Sequence, residues 1–280
     1  MQDTDFVTLV PDVDLVLGGH EHENWVLERG PRMVPIIKAD ANVRSVAVVS
    51  LRFGAPGTRP EVSSKLTLID DSIPSQPAVD AVVKKWTATA FEAFRRDGFA
   101  PESVVAVTSE PLDGRESAVR NRPGRLTEIL VTAIAHEGKD VDVALMNGGS
   151  VRIDDVVPAG PLTQYDVIRI LPFGGKIAKA SMEGALLAKV LDTGENNTGL
   201  GGYLHAWGVS HDERGWLVGG KPIDPAARYG VALPAFLLTG AEVNLGYLKR
   251  DHPQLHDVTE LRDIRLAAID ELRATYHPSP

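Results

Sequence analysis

The segment whose residue types could do the most specific chemistry is Asn147-Gly148-Gly149-Ser150-Val151-Arg152, which follows a predicted strand. Its glycines allow the backbone to approach a ligand closely. The Asn147 amide carries both a donor and an acceptor, which suits the edge of a nucleobase. The Arg152 guanidinium can hold a phosphate group through two hydrogen bonds. Taken alone, the same residues also describe a glycine turn with an exposed arginine.

A second chemical signal is the pair of histidines in Gly18-Gly19-His20-Glu21-His22, just beyond a predicted strand. A loop at the carboxyl end of a strand can aim two imidazoles at one point, and neutral imidazole binds divalent transition metals. Two metals together can position a water nucleophile and neutralise phosphate charge. The alternative is two solvated histidines on a tight turn.

The stretch from Asp12 to His22 resembles the last metal-binding motif of calcineurin-like metallophosphoesterases, in the branch of 5'-nucleotidases and 2',3'-cyclic-nucleotide phosphodiesterases. The resemblance implies that His20 and His22 belong to a site for two divalent metal ions, for which Zn, Mn, Fe and Co are all suitable. The family's other ligands lie upstream of this motif. We therefore expect that this chain does not hold both metals stably, and that catalytic residues lie outside it.

Three explanations for such a chain stay open: a shortened piece of a longer protein, a reading frame that starts too late, or a degenerate relative. The strand before Gly18 begins abruptly, which favours shortening.

The remainder of the chain, from about Val104 onward, resembles the C-terminal domain of 5'-nucleotidases through ordered matches along its length. These are 112–115, 119–120, 146–152, 158–163, 171–175, 220–225 and 229–231. The resemblance implies roles for six side chains: Arg120 and Arg152 bind the substrate phosphate, Asn147 contacts the base, Phe173 and Phe236 sandwich it, and Glu242 faces the ribose. Without the resemblance, core packing is the simpler role for both phenylalanines.

Several positions depart from the family pattern. Its glycine-glycine-aspartate motif is Gly240-Ala241-Glu242 here, so the ribose acceptor is one methylene longer. The segment Pro123 to Ile129 lacks the usual asparagines, which indicates a drift in substrate preference. His205 and Trp207 border the matched base pocket, where packing is the alternative role for both.

The periodicity of apolar residues predicts the elements that position these side chains. Strands are expected at 13–17, 34–37, 46–51, 141–146 and 229–233. Helices are expected at 77–98, from Leu126 to Gly138, after an N-cap at Ser181, and from Asp257 with Glu260 as its capping partner. The predicted fold class is α+β. The family resemblance implies three parts: the remnant of an α/β/β/α metallophosphatase sandwich (1–73), a linker helix (74–98) and a 5'-nucleotidase C-terminal-type mixed substrate-binding domain (99–280). In the family, a hinge about the linker helix carries substrate to the metals.

Composition limits the partners. Acidic residues outnumber basic ones by 38 to 29, for a net charge of -9, which argues against binding a nucleic-acid polymer. The partner we expect is a small nucleotide or nucleoside, since a few local arginines suffice to bind one phosphate group. Cysteine is absent, so disulfides and thiolate metal sites are excluded. No apolar run is long enough to cross a membrane. Relatives are often periplasmic or extracellular, but no signal peptide is visible here, and compartment and oligomeric state stay open.

Three functions are consistent with this sequence. The first is metal-dependent hydrolysis of nucleotide phosphate esters, with this chain supplying mainly the nucleotide-binding domain and being inactive alone. The second is a non-catalytic nucleotide- or nucleoside-binding module. The third is a structural or partner-binding domain with a decayed pocket, suggested by Ala241 and Glu242.

Overall fold

The computed structural model describes residues 3–276, and the chain divides into two compact units, Met1–Thr87 and Ala88–Pro280. Helices and strands occur in both units, so the predicted α+β class is confirmed. The three-part division predicted from the sequence stays a prediction, because the boundary between the two units lies inside a helix. That helix, α2, spans Pro77–Arg96.

The first unit consists of short elements: α1 Asp3–Leu9, β1 Val16–Gly18, β2 Trp25–Arg29, β3 Val34–Lys38, β4 Ser45–Arg52 and β5 Glu61–Leu68. β3 lies between a parallel β1 and an antiparallel β2, and β4 and β5 form a separate antiparallel pair. Val7, Val34 and Ile36 form its small core. The strand expected at 13–17 begins only at Val16, because the Val13 carbonyl and the Asp14 carboxylate accept hydrogen bonds from Arg59 instead.

The second unit contains larger layers. Its strands are β6 Val104–Thr108, β7 Leu112–Asp113, β8 Val143–Asn147, β9 Val156–Val157, β10 Gly160–Thr163, β11 Lys176–Glu183, β12 Leu204–Trp207, β13 Val209–Asp212, β14 Gly215–Val218, β15 Lys221–Pro222, β16 Arg228–Pro234 and β17 Leu255–Asp263. Its helices are α3 Glu116–Val119, α4 Arg125–Gly138, α5 Gln164–Ile170, α6 Gly184–Asn196 and α7 Ile264–Tyr276.

A five-stranded mixed sheet organises the second unit, in the order β12-β8-β16-β11-β17. Every residue of β8 is buried, and successive side chains enter opposite layers, as the two-residue period of a strand requires. Ala144 and Met146 join the core formed with α4 and α7, whereas Val143 and Leu145 join the core formed with α6. Helices therefore cover both faces of this sheet, which holds the end of β8 in place.

Two expected helix starts are wrong. Ser181 lies inside β11, and α6 begins after Glu183, because residues 176–183 pair with β16 and β17 on either side. Residues 255–263 form β17 rather than the start of the last helix, which begins at Ile264. Asp257 and Glu260 have the spacing of a capping box, but antiparallel pairing with β11 prevails over that local signal.

The predicted linker helix is present, but it ends at Arg96, two residues before Gly98. Gly98 follows in a left-handed conformation with φ of 89°. Within the second unit, Phe94 packs against the larger core and Phe91 meets Tyr165 edge-on at 5.0 Å between ring centroids. Among residues 3–276, no helix combines the length and apolar character needed to cross a bilayer.

Candidate functional site

Asn147 is the last residue of β8, and its side chain is held in one orientation. Only 3% of the residue is exposed. Its Oδ1 accepts a hydrogen bond from Ser150 Oγ at 2.6 Å, and its Nδ2 donates to Glu242 Oε2 at 2.5 Å. One N–H and one lone pair of the amide stay available for a ligand. This arrangement matches the polar edge of a base, which presents donors and acceptors side by side.

The glycines after Asn147 pack against two neighbouring segments. The Gly148 N–H donates to the Tyr203 carbonyl at 2.8 Å, and the Gly149 N–H donates to the Gly201 carbonyl at 2.7 Å. A Cβ at Gly148 would lie 2.4 Å from the Val119 carbonyl oxygen, which is closer than real contacts. Only glycine therefore lets the end of β8 approach the end of α3, where Arg120 follows.

Arg120 and Arg152 reach the same place from different segments. Arg120 follows α3, and the backbone N–H of Arg152 donates to the Ile170 carbonyl at 2.9 Å. Both guanidinium groups form ion pairs with one carboxylate, that of Glu116, and the Arg152 Nη1–Glu116 Oε1 distance is 3.5 Å. The side chains of the two arginines are 21% and 32% exposed, so they combine a fixed position with access from solvent.

The sequence did not point to Glu116. The available signal was its position four residues before Arg120, which places two side chains on the same side of a helical turn.

Phe173 lies on the loop after α5. That helix begins with a capping box in which Thr163 Oγ1 accepts from the Asp166 N–H and Asp166 Oδ2 accepts from the Thr163 N–H. The chain then turns at Gly174 and Gly175, whose φ angles are 57° and 103°. The Phe173 residue is 76% exposed, and Arg152 Cζ lies 5.9 Å from its ring centroid. Phe173 is therefore not part of the hydrophobic core, and the alternative of core packing is wrong for this residue.

Phe236 lies in a short 3-10 turn, Ala235–Leu238, at the end of β16. Leu237 and Leu238 of this turn are buried in the core, while Phe236 is 49% exposed. A half-exposed aromatic ring leaves apolar surface in water that a ligand can cover. The turn thus uses its leucines as an anchor and presents the phenylalanine.

All six side chains predicted to bind substrate line one cavity of about 810 Å³ in the second unit. They are Arg120, Asn147, Arg152, Phe173, Phe236 and Glu242. Ser150, the backbone of Gly149 and Gly201, and apolar residues including Leu171, Leu200 and Ile264 complete the walls. The size and the mixture of apolar walls with a few convergent polar groups are typical of small-molecule sites. The substrate-binding roles themselves stay predictions.

Glu242 makes contacts that the resemblance did not imply. Its Oε2 accepts from Asn147, and its Oε1 accepts from the Val243 N–H at 2.8 Å. The longer side chain thus reaches the amide that is expected to contact the base. A ribose contact by Glu242 would have to use the lone pairs that these bonds leave.

The histidine pair does not form part of a metal-binding cluster in the described residues. His20 is exposed and His22 is partly buried in the loop after β1, and residues 3–276 contain no group of three or more metal-ligating side chains. Glu21 is engaged by Lys38, whose ammonium is buried, lies 2.7 Å from Asp3 Oδ2 and also contacts Glu21. The bond from Lys38 lowers the pKa of Glu21. The donors present therefore do not fit a two-metal site, and the assignment of His20 and His22 stays a prediction.

His205 lies away from the cavity walls. Its Nε2–H donates to the Val119 carbonyl at 2.7 Å, which leaves Nδ1 unprotonated and without a hydrogen-bond partner among residues 3–276. Burial lowers the pKa of His205, so the ring stays neutral near pH 7. Trp207 is 37% exposed at the end of β12 and also does not line the cavity.

Comparisons with known proteins give the second unit a family. Residues 104–247 match the family model described as the 5'-nucleotidase C-terminal domain. The protein UshA of Yersinia enterocolitica is 33% identical over 165 residues, which cover 56% of this chain and 29% of UshA. The human 5'-nucleotidase is 22% identical over 230 residues, which cover 71% of this chain and 39% of that enzyme. The chain therefore spans less than half the length of these relatives.

The fold also matches a solved structure. The crystal structure of a 5'-nucleotidase precursor from Thermus thermophilus superposes with a TM-score of 0.75 at 19% identity, covering 94% of this chain and 57% of that one. At this identity the likeness establishes a shared fold.

Proposed function

Because the chain belongs to the family defined by the 5'-nucleotidase C-terminal domain, we propose that residues 99–280 bind nucleotides for the hydrolysis of their phosphate esters. In this proposal the base stacks between Phe173 and Phe236, Asn147 contacts its edge, and Arg120 and Arg152 hold the phosphate. The observation that carries the proposal is the convergence of these side chains, distant in sequence, on one cavity. Residues 1–73 would belong to a metal-dependent catalytic domain.

Each part of the cavity contributes a different kind of binding. Stacking on aromatic rings is worth about 1–3 kcal/mol per base and accepts different bases. The fixed Asn147 amide adds orientation, because its Ser150 and Glu242 bonds are formed without the ligand. Charge-assisted hydrogen bonds from the guanidinium groups favour a phosphate over a neutral group. Together, the aromatic rings, the Asn147 amide and the two guanidinium groups favour a ligand in which a flat heterocycle is joined to an anionic group.

A second candidate is a nucleotide- or nucleoside-binding module that hydrolyses nothing. The observation that favours it is the absence, in residues 3–276, of a cluster of ligands that could hold a metal. In both candidates the cavity binds the same ligands, so binding alone does not distinguish them. Metal-dependent chemistry needs donors beyond His20 and His22, such as those expected upstream in the family.

Two measurements test these proposals on the same preparation. Isothermal titration calorimetry with AMP and adenosine should detect binding of both ligands. No heat from either ligand at millimolar concentration would refute a nucleotide pocket and favour a decayed one. Incubation with AMP and Mn²⁺ or Zn²⁺ should release no phosphate above a protein-free control. Release that is absent from an Arg152→Ala preparation would instead show that this chain is itself a hydrolase.

A further inference from the structure

We infer that Glu116 sets how strongly the cavity responds to the charge of a bound phosphate group. The inference rests on the proposed nucleotide-binding function and assigns a specificity-determining residue to it. Its basis is one geometric fact: a single carboxylate oxygen, Glu116 Oε1, pairs with both Arg120 and Arg152. The two guanidinium groups that are expected to bind a phosphate are therefore already paired with a carboxylate of the protein, that of Glu116.

Local structure holds this carboxylate in place. Glu116 is the first residue of α3, and its backbone N–H donates to Asp154 Oδ1 at 2.9 Å. Arg120 is one helical turn further along, so the pair has the spacing that favours contact. The Glu116 side chain is only 22% exposed. Coulomb interactions at such partly buried positions are screened less than those on an open surface.

The fixed charges of the cavity are consequently balanced. Arg120 and Arg152 contribute two positive charges, while Glu116 and the wall residue Glu242 contribute two negative ones. Arg265, close behind Gly174, is engaged by Asp263 at 2.9 Å. A phosphate entering the cavity must share the guanidinium donors with Glu116 and accept repulsion from its carboxylate. The cost rises with the ligand's negative charge and is zero for a neutral nucleoside.

This charge balance predicts how the affinity of a ligand depends on its charge. The cavity should gain less affinity from a doubly charged phosphomonoester than two unopposed arginines would provide. A singly charged phosphodiester loses less to Glu116 than a monoester does. Glu116 therefore reduces the difference in affinity among ligands that share a base and differ in charge.

The test uses Glu116→Gln, which keeps a carbonyl oxygen able to accept from both guanidinium groups but removes the charge. Calorimetric titrations at pH 8 and low salt compare adenosine, adenosine 3',5'-cyclic phosphate and AMP. We expect AMP affinity to rise on the order of tenfold, cyclic phosphate affinity roughly threefold, and adenosine affinity to stay within about twofold. Raising the salt concentration should reduce the first two gains and leave the third unchanged.

A matched control is Glu128→Gln, which removes one carboxylate from the exposed side of α4 and is not a wall residue of the cavity. It should leave all three affinities near those of the parent chain. Equal gains for all three ligands, or weaker AMP binding with adenosine retained and an unchanged melting temperature, would overturn the role of Glu116. If neither the parent chain nor Glu116→Gln binds any of the three ligands, the proposed function fails and the inference fails with it.

Discussion

At the scale of single residues, the cavity walls combine charged groups with exposed aromatic rings. Arg152 combines an ion pair to Glu116 with a position 5.9 Å from the Phe173 ring centroid, so a charged group and an aromatic ring are neighbours there. Phe236 presents an apolar surface without any charge. Variants at these two positions should therefore affect different ligands.

Replacing Arg152 with alanine should weaken AMP binding by about 1.5–3 kcal/mol, or roughly 10- to 150-fold, because a charge-assisted hydrogen bond to phosphate is lost. Adenosine affinity should change little. Calorimetry with both ligands measures the two effects. Arg125→Ala is the control, since Arg125 is engaged by Glu110 and the Tyr276 ring outside the cavity. Equal losses for AMP and adenosine would contradict the phosphate role.

Replacing Phe236 with alanine should weaken AMP and adenosine alike, by about 1–3 kcal/mol, because stacking depends on the base that both ligands share. The melting temperature should fall little, since half of the residue is already exposed. Leu237→Ala in the same turn is a contrasting variant, because Leu237 is fully buried and should mainly lower stability. Unchanged adenosine affinity in Phe236→Ala would remove this ring from the site.

The sequence predicted which side chains line the cavity, but not the hydrogen bonds and ion pairs that these side chains form. Arg120, Asn147 and Arg152 stand in short motifs whose order resembles a known domain, so their convergence could be expected. Glu116 and Ser150 could not be assigned in the same way, because their importance depends on which side chains meet in three dimensions. The exposure of Phe173 also required the structure, since phenylalanine is more often buried.

At the scale of elements, the cavity depends on the close approach of two chain segments. The turn after β8 and the end of α3 meet at Gly148, whose Cα faces the Val119 carbonyl. This contact places Asn147 and Arg152 on one segment beside Arg120 on the other. This contact therefore sets the separation between Asn147 and the Arg120 guanidinium.

Replacing Gly148 with alanine should separate these segments, since the new Cβ would lie 2.4 Å from the Val119 carbonyl oxygen. We expect a loss of about 1–3 kcal/mol in the free energy of unfolding, together with weaker AMP binding. Thermal denaturation and calorimetry measure the two quantities. Gly19→Ala is the control, because no atom lies within 4 Å of a Cβ there. A fully stable Gly148→Ala variant with unchanged AMP affinity would show that this contact is dispensable.

Elements whose apolar pattern fits a single period were predicted correctly, whereas β17, whose pattern fits two periods, was not. The 14 residues of α4 and the strand β16 follow from their apolar pattern. β17 does not, because Val258, Leu261 and Ile264 also have helical spacing. Its strand conformation is determined by β11, more than 70 positions earlier in the chain.

At the scale of the whole molecule, the two units differ in how much apolar surface they bury. The second unit contains two large clusters around its sheet, whereas the first has three fully buried apolar residues in its cluster. The cavity lined by the six predicted side chains lies in the well-packed second unit. Ligand binding should therefore require the second unit to be folded.

The stability of the second unit should fall in mild acid because of His205. Burial lowers its folded-state pKa below the ordinary value of 6.5, so the unfolded chain binds a proton that the folded chain does not. Stability is unaffected by this group above about pH 6.5. It declines below that pH, by up to about 1.4 kcal/mol per pH unit, until the folded-state pKa is reached.

Urea unfolding from pH 7.5 to 5, compared with His205→Gln, tests this dependence. The glutamine amide can still donate to the Val119 carbonyl but cannot take up a proton in this range. The variant should show a flatter pH profile than the parent chain. Identical profiles would mean that His205 is not the group responsible.

The bonds around Asn147 have an evolutionary consequence. Ser150 and Glu242 each hold one side of its amide, so the three positions form a unit in which a change at one alters the other two. An aspartate at position 242, as in the family pattern, would be one methylene too short to keep the same hydrogen bond to Asn147. Descent from such an ancestor would therefore have added a hydrogen bond within the protein. Lineages carrying glutamate here should also carry a small hydroxyl residue at position 150.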